Sequence, residues 1–175
     1  MEKKFTLGII GAGNMASAIL GGVLRGGLLR ADRIVVSDRD EGKRAVMAQN
    51  GVSVTADNRE VASSCEYLMF AVKPQIAPQV FEEIAPVISA GTVISIMAGI
   101  PVAKLQAALG ERNYVRVMPN TPALVGEGMS VIAFRDGARS QFVADIFASI
   151  GKVAELDESK FDAVTSLSGS GPAYV

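Results

Sequence analysis

Histidine is absent from all 175 residues. Its absence removes the commonest general acid–base group, every Ser–His or Cys–His nucleophile pair and all histidine metal sites. Chemistry must therefore come from a cofactor, another acid, or residues outside this chain. The single cysteine, Cys65, cannot close an internal disulfide and suits a reducing cytoplasm. No cluster of ligands surrounds it, so no metal is expected. Net charge is −1 with no basic block, which leaves a nucleic-acid partner without an electrostatic footprint. The longest apolar region, around Val93 to Ala103, is interrupted by Ser95, Gly99 and Pro101. It falls far short of the ~20 apolar residues that span a bilayer, so no membrane partner is expected. The charged start Met1-Glu2-Lys3-Lys4 precedes apolar residues, but a glycine turn occupies that short stretch and explains it better than a signal peptide. The expectation is a soluble, cytoplasmic protein.

What is present is an alternation of apolar strands and helical patterns. Strand-like runs are Phe5–Ile10, Ile34–Ser37, Val52–Thr55, Tyr67–Val72, Thr92–Met97, Tyr114–Met118 and Ser130–Phe134. Helical patterns fall at Ala16–Arg25, Glu41–Gln49, Arg59–Ser63, Gln75–Ile84, Pro101–Leu109 and Ser140–Ile150. Several strands are continuously apolar, as when helices cover both faces of a parallel sheet. The expected fold class is α/β, a doubly wound, Rossmann-like, mostly parallel sheet with its ligand site at the strand C-termini.

The first strand runs straight into Gly11-Ala12-Gly13-Asn14-Met15-Ala16 and then a helix. Gly11 allows a tight turn, Gly13 lets the backbone approach a pyrophosphate, and Ala16 is small enough for close helix–strand packing. The helix N-terminus offers free N–H groups and a positive dipole end to that anion. At the end of the second strand, Asp38 could bond the ribose hydroxyls of NAD, while Ser37, Arg39, Lys43 and Arg44 would suit the 2′-phosphate of NADP. Asp38 stands somewhat further along than the usual ~20 residues, and it could instead cap the next helix, with Lys43 and Arg44 as its solvated face. After the fourth strand, Ala71-Val72-Lys73-Pro74 faces the same ligand, with Pro74 fixing the chain path. Lys73 could reach a phosphate or remain solvated. After the fifth, Gly99 would admit a flat ring or a ribose to the main chain. After the sixth, Pro119-Asn120-Thr121-Pro122 is stiffened by two prolines, which holds the Asn120 amide and Thr121 hydroxyl ready for a carboxamide or carboxylate. An ordinary turn carries Pro-Asn as well.

The end of the chain reads as a helix over Lys160–Leu167 followed by Ser168-Gly169-Ser170-Gly171-Pro172-Ala173-Tyr174-Val175. Glycine then proline is a helix-start signal. The expected division is a dinucleotide-binding domain over 1–158 and, over 159–175, a linker helix with the beginning of a second domain whose remainder is absent.

Four segments in this order resemble pyrroline-5-carboxylate reductase: Gly8–Ala16, Ala71-Val72-Lys73-Pro74-Gln75, Met118–Ala123 and Leu167–Tyr174. The resemblance implies NADPH-dependent reduction of the cyclic imine 1-pyrroline-5-carboxylate to L-proline, with NADH the alternative cofactor. It implies cofactor contacts from Ile10, Gly11, Ala12, Gly13, Asn14, Met15, Ser37, Asp38, Arg39, Asn58, Ala71, Val72, Lys73, Pro74, Ala98 and Gly99. Asn120 and Thr121 would lie beside the nicotinamide as the candidate catalytic residues. It also implies a C-terminal helical domain that builds a homo-oligomer and completes the substrate pocket, so the 175-residue chain alone is expected to be inactive. Two other readings stand beside it: a β-hydroxyacid or deazaflavin-dependent Rossmann oxidoreductase, and a non-catalytic nucleotide-binding module.

Overall fold

In the computed structural model, which describes residues 4–135 and 139–169, each apolar run becomes a strand and each intervening amphipathic stretch a helix. The chain order is β1 (Phe5–Ile10), α1 (Asn14–Arg25), β2 (Ile34–Ser37), α2 (Glu41–Ala48), β3 (Ser53–Thr55), α3 (Asn58–Ser64) and β4 (Cys65–Phe70). It continues with α4 (Ala77–Ile84), β5 (Thr92–Ser95), α5 (Val102–Leu109), β6 (Asn113–Met118), β7 (Gly128–Phe134), α6 (Gln141–Ala148), β8 (Gly151–Glu155) and α7 (Phe161–Val164). The expected helix start at Pro172 lies outside the described residues.

The strands form one sheet in the order β3-β2-β1-β4-β5-β6-β7-β8. The first six are mutually parallel, β7 runs antiparallel to β6, and β8 runs parallel to β7. The reversal has a simple cause. Pro119–Glu127 folds as a tight turn around Thr121–Val125 with Gly126 in the left-handed region. That connection is too short to hold a crossover helix, so the chain returns alongside the strand it left.

The period-2 alternation divides the core. Leu7 and Ile9 of β1, Ile94 of β5, and Val115 and Val117 of β6 pack with α1 and α6. Ile10, Leu68, Phe70, Val93 and Tyr114 point the other way, against α3, α4 and α5. A third cluster joins Met118, Val131 and Ala133 to Phe161 and Val164 of α7. Beneath α7 the buried Arg116 guanidinium pairs with Glu158 at 3.1 Å and lies over the Phe161 ring. Glu158 also accepts from the Val102 N–H at the start of α5, 2.8 Å away.

Position in the sheet fixes where a ligand can bind. Strand order reverses between β1 and β4, and a crevice opens beyond the carboxyl ends of neighbouring strands whose connections leave in opposite directions. Among the described residues, no helix is long and apolar enough to cross a membrane.

Candidate cofactor site

The turn after β1 sits at that switch point and is held by the sheet itself. Gly11 N–H donates to Ser37 O at 2.8 Å, and Ala71 N–H donates to Ile10 O at 2.9 Å. Gly11 has φ +103°, and a Cβ there would stand 2.6 Å from Ala71 O. Only glycine satisfies both the left-handed backbone and the space. Gly13 differs. Its φ of −79° suits any residue, and a Cβ there would meet no protein atom within 4 Å. The space over Gly13 is open, where a pyrophosphate would need it. No side chain caps the N-terminus of α1 and no acid occupies its first turn. The amide end of a twelve-residue helix therefore faces this space with its positive pole. Ala16 beneath it is fully buried, as close helix packing requires.

Two depressions flank the turn. One is bordered by Gly11, Ser37, Asp38, Arg39 and Asn58 on one side and by Val72 and α4 on the other. Its neighbour is bordered by Gly13, Asn14, Met15, Ala71–Pro74, Met97, Ala98 and Pro119. Val72 borders both. A ligand with a ring at each end and an anion in the middle would lie across the turn from one depression to the other.

Asp38 is oriented by this architecture and does not cap α2. Its Oδ2 accepts from Ala12 N–H at 2.8 Å and its Oδ1 from Asp40 N–H at 2.9 Å. Asp40 is the helix cap, accepting from Lys43 N–H at 3.0 Å. Arg44 donates to the carbonyls of Asp38 and Arg39 and thereby braces the loop. Lys43 is exposed. On the floor of the first depression the Ser37 hydroxyl donates to Asn58 Oδ1 at 2.7 Å, and Asn58 Nδ2 donates to Glu83 Oε2 at 2.9 Å. That glutamate, on α4, carried no signal in the sequence, because its meeting with Asn58 depends on how two helices pack. Lys73 is exposed at the rim of the second depression, where Pro74 opens the turn leading to α4.

Three expected residues line neither depression. Gly99 has φ +70° but borders a different surface depression, near Arg116 and Glu158. Asn120 borders neither half of the cleft, and its Oδ1 accepts from Met129 N–H at 2.8 Å, which ties the loop to the first residues of β7. Thr121 is exposed on the turn. Pro119, immediately before Asn120, does reach the second depression.

Comparison with known proteins agrees with this geometry. A family model described as NADP oxidoreductase, coenzyme F420-dependent, matches residues 6–99, more than half of the chain. The chain belongs to that family. A relative named pyrroline-5-carboxylate reductase from Pisum sativum is 38% identical over 100% of this chain and 66% of its own length. The structure of a pyrroline-5-carboxylate reductase from Coxiella burnetii superposes with a TM-score of 0.88 at 31% identity, over 98% of this chain and 66% of that one. Plasmodium falciparum pyrroline carboxylate reductase, solved with NADP bound, gives 0.86 at 33% identity over 99% of this chain and 66% of that one. The chain thus spans just under two thirds of the length of these relatives. The resemblance expected from the motifs is borne out from one end of the chain to the other, well beyond the residues that the family model covers.

Proposed function

We propose that this chain is the cofactor-binding part of an enzyme that reduces 1-pyrroline-5-carboxylate to L-proline, the last step of proline biosynthesis. The hydride donor in this reading is NADPH, with NADH the alternative. The observation that carries it is the similarity to pyrroline-5-carboxylate reductases over at least 98% of the chain, which includes the Pro119–Pro122 loop beyond the family model's match. That loop also weighs against a deazaflavin-dependent or β-hydroxyacid enzyme. The proposed contacts are Ile10–Met15, Ser37–Arg39 and Asn58 for the adenosine half and pyrophosphate. Ala71–Pro74, Ala98 and Gly99 would serve the nicotinamide half, with Asn120 and Thr121 beside it. We further propose a cytoplasmic homo-oligomer whose helical part completes the substrate pocket.

The nicotinamide, when bound, supplies the hydride that a C=N carbon accepts. The chain's own contribution is position and field. Gly11 and Gly13 let main-chain amides approach the diphosphate, the end of α1 opposes its charge, and the Val72 region fixes where the ring can lie. No histidine acid is needed where the imine arrives protonated, since an iminium carbon is already strongly electrophilic.

The test is direct. The purified chain and the longer protein are titrated with NADPH and assayed for proline formation from pyrroline-5-carboxylate. NADPH binding by both, with turnover by the longer protein, is expected. Binding without turnover in the longer protein would leave a nucleotide-binding module instead. In the longer protein, Asn120→Ala is expected to lower kcat/KM for the imine, and an unchanged value would remove Asn120 from the site.

A further inference from the structure

The polar relay under the first depression has a fixed direction. A carboxylate only accepts hydrogen bonds, so Glu83 obliges the Asn58 amide to present its NH₂ group. Asn58 Oδ1 therefore faces Ser37, and the Ser37 hydroxyl must donate to it. A hydroxyl has one proton to give. With that proton spent, the buried Ser37 hydroxyl on the cleft wall has only a lone pair left, beside the Asp38 carboxylate, which likewise only accepts. Two acceptors side by side welcome the hydroxyls of an unmodified ribose and oppose a 2′-phosphate, itself an acceptor and an anion. The Arg39 guanidinium faces the same glutamate. Arg39 Nη2 lies 4.0 Å from the same Glu83 oxygen that binds Asn58. Arg39 is largely exposed, whereas Glu83 is mostly buried.

We infer that Glu83, which stands behind the cleft, determines how strongly the site discriminates between a 2′-hydroxyl and a 2′-phosphate. It does so as a positioning residue, through the direction of the Ser37–Asn58 relay and the charge on Arg39. The inference rests on the reading that this cleft holds the adenosine ribose. Glu83→Gln removes the charge and lets the relay reverse. An amide nitrogen there can donate to Asn58 Oδ1, Asn58 can then donate to Ser37, and the Ser37 proton is released toward a phosphate. Arg39 is freed at the same time.

Fluorescence titration of the wild-type chain and Glu83→Gln with NADPH and NADH tests this. The Kd ratio is expected to move about tenfold toward NADPH, the scale of one charge-assisted hydrogen bond gained. A ratio unmoved, or equal loss of both affinities, overturns the inference, because damage to the fold alone would weaken both cofactors alike. Ser37→Ala reads the same relay should Glu83→Gln fail to fold. It is expected to weaken NADH more than NADPH, and an equal or larger loss for NADPH overturns the inference. Failure of the wild-type chain to bind either nucleotide would sink the cofactor reading itself and this inference with it.

Discussion

The side chain missing at position 13 would point into open space, and that sets Gly13 apart from Gly11 only two residues earlier. Nothing in the fold itself forbids alanine at 13, since φ is ordinary and no atom lies within 4 Å of the added Cβ. Gly13→Ala is therefore expected to leave the denaturation midpoint unchanged and to weaken NADPH binding at least tenfold, about 1.4 kcal/mol. Unaltered affinity measured by titration would show that no diphosphate approaches this amide. Gly11→Ala should instead lower stability, because it meets both a left-handed φ and the Ala71 carbonyl. Asp38 poses a second question at this scale. Its carboxylate is held by the Ala12 and Asp40 amides, close to where a ribose would sit. Asp38→Ser removes a fixed negative charge there, so the ratio of Kd for NADPH to that for NADH is expected to fall about tenfold. A ratio that does not move would mean that Asp38 organises the loop without choosing the cofactor.

Between neighbouring elements a tight demand falls at Gly8 in the middle of β1. A Cβ built there would lie 2.7 Å from both Cys65 Sγ and Val61 Cγ1. That distance sets how closely α3 and the first residue of β4 approach the central strand. Gly8→Ala must push them apart, and overpacking of this kind costs about 1–3 kcal/mol. Urea unfolding should show a lower midpoint with an unchanged m-value, and an unshifted midpoint would mean the layer has slack. The same element-level view explains what could be read in advance. Central strands such as Phe5–Ile10 and Thr92–Ser95 declare themselves as apolar runs because helices cover both their faces. Gly151–Glu155 was not expected as a strand. It lies at the sheet edge, carries Lys152 and Glu155, and has no fully buried residue, so its composition resembles a solvated turn. The reversal at β7 was hidden for a different reason, since direction depends on what Pro119–Glu127 can span and not on which residues are apolar. In the cleft, Gly11, Gly13 and Asp38 were legible because their roles arise within a few residues of a strand end. Glu83 was not, because its role arises only where α4 meets the start of α3. Asn120 lay between these cases: the stiff loop was evident, but the bond to Met129 required knowing where β7 begins.

Across the whole molecule, the lack of histidine leaves no side chain with an ordinary pKa between about 5 and 7, so stability should be nearly flat over that range. The alkaline limb has an identifiable contributor. Tyr114 is fully buried on β6, and its phenol donates to Gly110 O at 2.6 Å, closing the end of α5 onto the sheet. Burial pushes its pKa above 10.0, with Glu111 adding to the rise and Arg112 and Arg135 opposing it. The sign follows from linkage. The neutral phenol is favoured by the fold, so its stabilisation is complete below the unfolded value of about 10 and disappears as pH rises through the higher folded value. Tyr114→Phe keeps the ring packing and loses the hydrogen bond, at a cost of about 1 kcal/mol near neutrality. Thermal melts at intervals from pH 7 to about pH 11 should show the wild type ahead at first and the gap closing above about pH 10. A gap of constant size across that range would mean that Tyr114 titrates alike in the folded and unfolded chain, and the alkaline loss would then belong to other groups such as the surface lysines.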